Sequence, residues 1–155
     1  MFPNKMAQTV LILVVGSLGS YDWVQRGSDL DGDVSYTWFG YDVAMSSDGS
    51  IVAAGGTEFI GGNGTVRVFQ YNASTLNYTQ LGSDIDGEVN GDKAGHSIAL
   101  SSNGTILAVG GIENSGGGTE SGHVRVYEYS DGSWTQLGSD IDGELASDKY
   151  GSSVA

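Results

Sequence analysis

The stretch FGYDVAMSSDGSIVAAGG, residues 39–56, returns with modest changes as AGHSIALSSNGTILAVGG at residues 94–111. A second pair follows at a similar separation, because GTVRVFQY at 64–71 matches GHVRVYEY at 122–129. The opening of the first pattern is found once more as YGSSVA at residues 150–155. Internal similarity at a nearly fixed spacing indicates that one structural unit is repeated along the chain.

An acidic heptapeptide marks each unit. GSDIDGE occurs at residues 82–88 and again at 138–144, and the related GSDLDGD occurs at 27–33. The glycines that open the three copies are 55 and 56 residues apart, and each copy closely follows an aromatic residue and a glutamine. The chain of 155 residues therefore holds about two full units, with partial units on either side.

Four short β-strands are predicted in each unit. Asp48-Gly49 and Asn103-Gly104 are pairs that supply positive φ in hairpin turns, so we expect a strand on each side of them. The strand after the turn, IVAAGG or ILAVGG, is apolar throughout and suits a doubly buried position. The third strand, VRVFQY or VRVYEY, alternates in character, and a fourth strand leads into the heptapeptide. Almost no helix is predicted after the N terminus.

The predicted fold class is all-β, with antiparallel four-stranded repeats of about 55 residues that are typical of β-propeller blades. A chain with 26 glycines and one proline fits a protein of many tight turns. One such sheet cannot bury both of its faces, so it has to stack on its neighbours. We assign residues 21–155 to this partial propeller, with the third unit truncated at the C terminus.

FGYDVA, AGHSIA and YGSSVA, together with AAGG and AVGG, resemble FG-GAP repeats, the blades of integrin α-subunit head propellers. The order of Gly-Gly, VYEY and Trp in residues 110–134 also resembles a kelch blade. The resemblance extends over residues 21–155. The chain also resembles the long repeat arrays of secreted and surface proteins. A closed propeller has about four to eight blades, so we expect the partners of these units to be further blades of a longer chain or of an oligomer.

The heptapeptide places carboxylates at alternate positions, which is how calcium loops begin. The resemblance strengthens this reading, because integrin blades carry calcium loops of the form D-x-D-x-D-G. Here the glycine comes earlier, and the family's loop position holds only SSDGS or SSNGT. The alternative is structural, with the acids forming a turn and a solvated surface. The candidate calcium ligands are Asp29, Asp31, Asp33, Asp84, Asp86, Glu88, Asp140, Asp142 and Glu144, and Asp92 and Asp148 are further acids that could assist two of the loops.

Residues 1–20 read as a secretory signal peptide. Lys5 is followed by an apolar run from Val10 to Val15 and then by small residues, the order that a signal peptidase substrate requires. The run is shorter than the roughly 20 apolar residues of a membrane span, so no direct membrane insertion is predicted. The alternative is a strand of a degenerate preceding repeat. Four sequons make a glycoprotein of the secreted or cell-surface class a further expectation, with candidates Asn63, Asn72, Asn77 and Asn103.

The formal net charge of −13 argues against nucleic acid and anionic membrane surfaces as partners, and the absence of cysteine excludes disulfides and thiolate metal sites. No catalytic residue is predicted, because every acidic pair recurs with the repeat. The predicted function is that of a non-enzymatic interaction module that binds protein or glycan. The alternatives are a fragment of a propeller enzyme acting on carbohydrate and a structural spacer in a surface array.

Overall fold

The structure is a computed structural model, and it describes residues 13–15, 23–32, 37–57 and 62–155. No helix occurs among these residues, and the prediction of an all-β fold is confirmed. No described segment, accordingly, is a helix of the length and apolarity that crossing a bilayer requires. The strands are β1 Leu13–Val15, β2 Trp23–Gln25, β3 Val43–Met45, β4 Ile51–Gly56, β5 Thr65–Asn72, β6 Asn77–Gln80, β7 Ile85–Asp86, β8 Ala94–Leu100, β9 Ile106–Gly111, β10 His123–Ser130, β11 Ser133–Gln136 and β12 Ile141–Asp142.

The two repeats form two antiparallel sheets of the same design. Strands β3, β4, β5 and β6 lie side by side in chain order in the first sheet, and β8, β9, β10 and β11 do so in the second. Each sheet also has a fifth strand that the sequence did not predict, because the heptapeptide supplies β7 beside β5 and β12 beside β10. The fourth strand is only half as long as the third, so it leaves an edge free for this addition.

The turn between the first two strands is built alike in both sheets. The Oδ1 atom of Asp48 accepts hydrogen bonds from the Ser46 hydroxyl and from the N–H and hydroxyl of Ser50, at 2.7–2.9 Å. The Oδ1 atom of Asn103 accepts the three corresponding bonds in the second sheet, from Ser101 and Thr105. Asp and Asn are interchangeable here because the turn needs one side-chain oxygen at this position.

The two sheets stack face to face, and β8 lies against the first sheet. Buried side chains of both sheets form one core between them, composed of Ile51, Ala53, Val66, Val68, Leu81, Ile85, Ala94, Ile98, Leu107 and Val109. A second core covers the other face of the first sheet and contains Leu30, Phe39, Val52, Ala54 and Tyr78. The first sheet therefore completes its burial with residues that come from the segments before and after it.

Glycines set the distance between consecutive units. A methyl group on Gly55 would overlap the carbonyl oxygen of Gly95, and one on Gly110 would overlap that of Gly151. Gly151 holds, in the third copy, the position that Gly95 holds in the second. The isolated parallel bridges Gly64–Ala94 and Gly122–Tyr150 repeat in the same way. Residues 150 and 151 therefore contact the second sheet in the same way that residues 94 and 95, at the start of β8, contact the first sheet.

Strands β1 and β2 form a separate two-stranded ribbon. Its register repeats that of the outer hairpins, because Val15 lies opposite Trp23 as Tyr71 lies opposite Tyr78 and Tyr129 opposite Trp134. This register is the one expected under the alternative to a signal peptide, a strand of a degenerate preceding repeat. Most of residues 1–20 lies outside the described residues, and the signal peptide stays a prediction.

Candidate functional site: the acidic loop edge

One edge of the sheet stack gathers most of the acidic residues. We call it the loop edge, and it consists of residues 84–93, 112–122 and 138–149. Its segments are joined by backbone hydrogen bonds, such as the N–H of Gly143 to the carbonyl of Gly122 at 2.9 Å and that of Ser147 to Thr119 at 2.9 Å. The segment that holds the second heptapeptide is joined to the Gly-rich loop between β9 and β10 by the N–H of Glu113, which donates to the carbonyl of Asp92 at 3.2 Å. The second and third heptapeptides and this loop therefore form one continuous surface.

The first acid of each heptapeptide is held by the glutamine four residues before it. Gln Nε2 donates to the aspartate at 2.6–2.7 Å in all three copies, which are the pairs Gln25–Asp29, Gln80–Asp84 and Gln136–Asp140. This bond explains why the glutamine and the aspartate recur together in the sequence.

The same acid also binds the arginine of the third strand in its own unit. Arg67 donates its Nε to Asp84 at 3.0 Å, and Arg125 donates Nε and Nη2 to Asp140 at 3.0 and 2.8 Å. The Arg125 hydrogen bond holds the pKa of the Asp140 carboxyl below its ordinary value. These bonds connect the segment between units to the centre of each sheet.

The third acid of the heptapeptide at residues 82–88 contacts an arginine of the next unit. Glu88 contacts Nη2 of Arg125, so this one guanidinium lies between carboxylates from two different heptapeptides. Burial alone would lower the pKa of Arg125, but the hydrogen bonds to Asp140 and Glu88 outweigh burial and raise it. The arginine is consequently a fixed positive charge at the junction of the two units.

His123 lies beside this junction and was not singled out as a site residue from the sequence. It is almost fully buried, its Nδ1 has no hydrogen-bond partner, and that atom is 3.4 Å from Oδ2 of Asp140. Glu88, His123 and Asp140 offer ligand atoms within 4.8 Å of one another, and among the described residues no other three metal-ligand side chains do so. Only tertiary structure brings these residues together, since they come from three separate segments.

Among the residues that the structure describes, no three acids of one heptapeptide come close enough to hold one metal ion. Asp84 binds Arg67, whereas Glu88 binds Arg125 of the following unit. Asp29, Asp31, Asp86, Asp142 and Glu144 are exposed, and Asp33 lies outside the described residues. A calcium ion at Glu88 and Asp140 would have to compete with the guanidinium that already neutralises them. Calcium binding stays a prediction that rests on the spacing of the acids.

Asp92 and Asp148, the two acids expected to assist the loops, bind backbone amides. Oδ2 of Asp92 accepts the N–H groups of Glu88 and Val89 at 2.8 and 3.0 Å. Oδ2 of Asp148 accepts the N–H of Leu145 at 2.8 Å. Both aspartates thereby fix a turn whose tip exposes an apolar side chain, Val89 in one unit and Leu145 in the next.

Two lysines at corresponding positions connect the units along the loop edge. Nζ of Lys93 is 2.6 Å from Oε1 of Glu113, and Nζ of Lys149 is 2.6 Å from Oε2 of Glu120 and 3.4 Å from Glu113. The hydrogen bond from Lys93 lowers the pKa of Glu113, and the one to Glu120 raises the pKa of Lys149. Glu113 and Lys149 are thus stabilised in their ionised forms.

The four sequon asparagines differ in accessibility. Asn72 and Asn103 are exposed, whereas Asn63 and Asn77 are half-buried. Nδ2 of Asn63 donates to the carbonyl of Gly87 at 2.6 Å, and Oδ1 of Asn77 accepts from the N–H of Ser28 at 2.9 Å. Glycosylation of these residues stays a prediction.

No family model matches the chain, and no curated protein matches it. The resemblance to FG-GAP and kelch repeats therefore stays a prediction, carried by the residues quoted for it.

Proposed function

We propose that this chain is a non-enzymatic interaction module, secreted or displayed at a surface, whose units are β-propeller-type blades and whose loop edge binds a protein partner. The observation that carries the proposal is the repeated display of an acid beside an exposed apolar residue, Glu88–Val89 in one unit and Glu144–Leu145 in the next. A buried or capping aspartate holds each tip in place. Side chains held in position at a surface are what recognition requires.

The stacking of the sheets supports the blade assignment. Consecutive four-stranded meanders pack face to face, and the contacts of Gly55 with Gly95 are repeated by Gly110 and Gly151. An arrangement that is the same at each step is what radial or linear repetition of one sheet produces.

The ionisation of the loop edge supports binding over catalysis. A general acid or base works best with a pKa near the working pH. Here hydrogen bonds move the pKa values away from neutral pH, because they lower the pKa of Asp140 and Glu113 and raise that of Lys149. Such groups remain fully ionised near neutral pH and act as fixed charges.

The chemistry of the edge favours a basic, partly apolar protein surface as the partner. Exposed Glu144 and Asp142 supply negative charge beside the apolar tip of Leu145, and a net charge of −13 steers cationic partners toward the chain. A glycan is the second candidate, favoured by a different feature. Trp38 and Tyr41 are both exposed and stacked, with ring centroids 6.1 Å apart, and exposed aromatic faces are common surfaces for sugar rings.

The test measures binding of the full chain to an array of Lys/Arg-containing apolar peptides and to a glycan array. We expect peptide binding that weakens with salt and that falls about tenfold or more in V89S/L145S, the loss of roughly 1.4 kcal/mol from two apolar contacts. The control is L76S, since Leu76 is equally exposed but lies in the β5–β6 turn, away from the loop edge. Equal binding by V89S/L145S, or binding of glycans alone, would overturn the proposed site.

A further inference from the structure

His123 is a buried histidine at the start of β10, and its Nδ1 atom has no hydrogen-bond partner among the described residues. The residue is 1% exposed, so water does not supply the missing bond. Nδ1 lies 3.4 Å from Oδ2 of Asp140, which is longer than the roughly 2.7–3.2 Å of an N–H···O hydrogen bond. A buried polar atom without a hydrogen bond destabilises the fold, so it calls for a further partner such as an ion.

The distance between Nδ1 of His123 and Oδ2 of Asp140 fits a metal ion that both atoms bind. A zinc ion lies about 2.0–2.1 Å from a histidine nitrogen and about 2.0–2.2 Å from a carboxylate oxygen, in tetrahedral order. Two ligand atoms of that tetrahedron are about 3.3–3.5 Å apart, and these two are 3.4 Å apart. Glu88 supplies a third ligand atom, because one atom from each of the three side chains lies within 4.8 Å of the others. The Glu88 side chain is 51% exposed, so it can turn and shorten this distance.

Two of the three side chains are oriented in advance by their surroundings. His123 pairs with Gly111 of β9, and a methyl group on Gly111 would lie 2.8 Å from Nε2 of His123, so the glycine leaves the space that the imidazole ring occupies. The carboxylate of Asp140 is held through its Oδ1 atom, which accepts from Gln136 at 2.7 Å and from Nε of Arg125 at 3.0 Å. Ligands that are held in this way before the ion arrives are typical of metal sites.

The first unit provides a natural comparison, because it lacks the histidine. Thr65 occupies in β5 the position that His123 has in β10, and its hydroxyl is likewise buried without a hydrogen-bond partner among the described residues. Arg67 and Asp84 repeat the pair of arginine and aspartate. The nitrogen ligand that zinc prefers is therefore present at this position in the second unit only.

We propose that Glu88, His123 and Asp140 bind one zinc ion at the junction between the two units, with a water molecule as the fourth ligand. Glu88 comes from the segment that follows the first sheet, whereas His123 and Asp140 belong to the second unit. The ion therefore joins the two units through side chains that are distant in sequence. This site does not depend on the peptide binding proposed above.

Zinc gains more than calcium does at this junction. Either ion competes with Arg125 for the carboxylates, but calcium takes oxygen ligands, whereas zinc also takes an imidazole nitrogen. Arg125 does not have to leave Asp140, because Nη2 uses one lone pair of Oδ2 at 2.8 Å and a carboxylate oxygen has two. The guanidinium then keeps the ligating carboxylate in place. The net charge of −13 reduces the repulsion between the two cations.

The experiment is isothermal titration calorimetry of the full chain with zinc, after removal of divalent ions by a chelator and dialysis. We expect one zinc ion per chain at the tightest site. H123T gives the second unit the residue of the first and should weaken this binding about 100-fold or more, and E88Q should weaken it about tenfold or more. H96Q removes the other of the two histidines in the chain and should bind as the wild type does. Cobalt(II) should give the intense visible absorption of tetrahedral coordination in the wild type and in H96Q, and not in H123T.

Zinc that binds H123T as tightly as the wild type overturns the inference, because the ion then lies on surface carboxylates. A wild type that takes up no zinc at micromolar concentration overturns it as well, and so does a loss of binding in H96Q. Far-UV circular dichroism shows whether H123T folds. If it does not fold, E88Q decides the question, since Glu88 is an exposed ligand and an unchanged affinity in E88Q overturns the site. Binding of peptides by V89S/L145S is measured without zinc, so the two proposals fail separately.

Discussion

Ser47 donates its backbone N–H to the carbonyl oxygen of Ser102 at 2.9 Å, and Ser102 is the residue that holds the position of Ser47 in the next unit. The Ser47 hydroxyl donates to the same oxygen at 3.0 Å, across a separation of 55 residues. This contact places the corresponding turns of the two sheets side by side.

Gly55→Ala should destabilise the chain by about 1 to 3 kcal/mol, because the added methyl group overlaps the Gly95 carbonyl and the sheets have to move apart. Urea denaturation followed by circular dichroism measures the change in the free energy of unfolding. Gly91→Ser is the control, since Gly91 has open space around it and Ser147 occupies the corresponding position at φ 67°. We expect the control to cost roughly 1 kcal/mol, the low end of the strain of a left-handed residue, because the other unit already holds serine in this conformation. Equal costs for both variants would contradict the close approach of the sheets.

Asp48→Asn should make the free energy of unfolding less dependent on pH in the acid range. Hydrogen bonds from Ser50, and then from Ser46, lower the pKa of Asp48 to about 2. The folded pKa lies below the unfolded one, so the stabilisation is present above the unfolded pKa, near 4, and is lost as the pH falls through about 2. Urea midpoints between these pH values should fall less steeply for Asp48→Asn than for the wild type. Asn103→Asp is the reciprocal variant, and we expect it to steepen the fall.

Arg125→Met should cost about 2 to 4 kcal/mol, because it leaves Asp140 and Glu88 without their shared cation in a partly buried position. Lys149→Met removes an exposed ion pair and should cost less than about 1 kcal/mol. Thermal or urea unfolding at neutral pH compares the two. A double-mutant cycle with Glu88→Gln isolates the contact between units, and a coupling energy near zero would mean that Glu88 contributes nothing to the junction.

Calcium should stabilise Arg125→Met more than it stabilises the wild type. The guanidinium lies between the carboxylates of Glu88 and Asp140, so its removal frees oxygen ligands that a divalent cation can use. Melting temperatures in millimolar calcium and in chelator, measured for both proteins, give the two shifts. A larger shift in the wild type would indicate that calcium binds at other acids of the heptapeptides.

The sequence was sufficient for the parts of the fold that are locally encoded. Asp48-Gly49 and Asn103-Gly104 each lie in a turn between two strands, as predicted, and the flanking strands are found where the repeat predicts them. The turns are longer than the two-residue type that was predicted, and only the glycine of each pair has positive φ. These features depend on residues that are neighbours in the chain, so pattern and turn chemistry reveal them. The strand character of Ile85 and Ile141 was missed, because a dipeptide is too short to show any periodicity.

The arrangement of the acids depends on tertiary contacts and was not predictable from spacing. Alternating carboxylates suggested convergence on one ion, yet Asp84 and Glu88 bind arginines of two different units. His123 stood alone in the sequence and gained its neighbours only when β10 was placed beside the heptapeptide. Which arginine a carboxylate meets is decided by the stacking distance, and no local pattern encodes that distance.

Gly27 and Gly82, which open two of the heptapeptides, each contact an aromatic residue of the following unit. The unit that packs together is therefore offset along the chain from the repeated stretch of sequence. Gly27 contacts Tyr78, and Gly82 contacts Trp134, so each of these repeated segments makes one contact with the segment that follows it. Duplication of one whole segment in a gene would then lengthen the array without requiring a single compensating substitution, because the new copy offers its predecessor and its successor the surfaces they already fit. Growth by whole segments is therefore the least demanding evolutionary route open to this architecture.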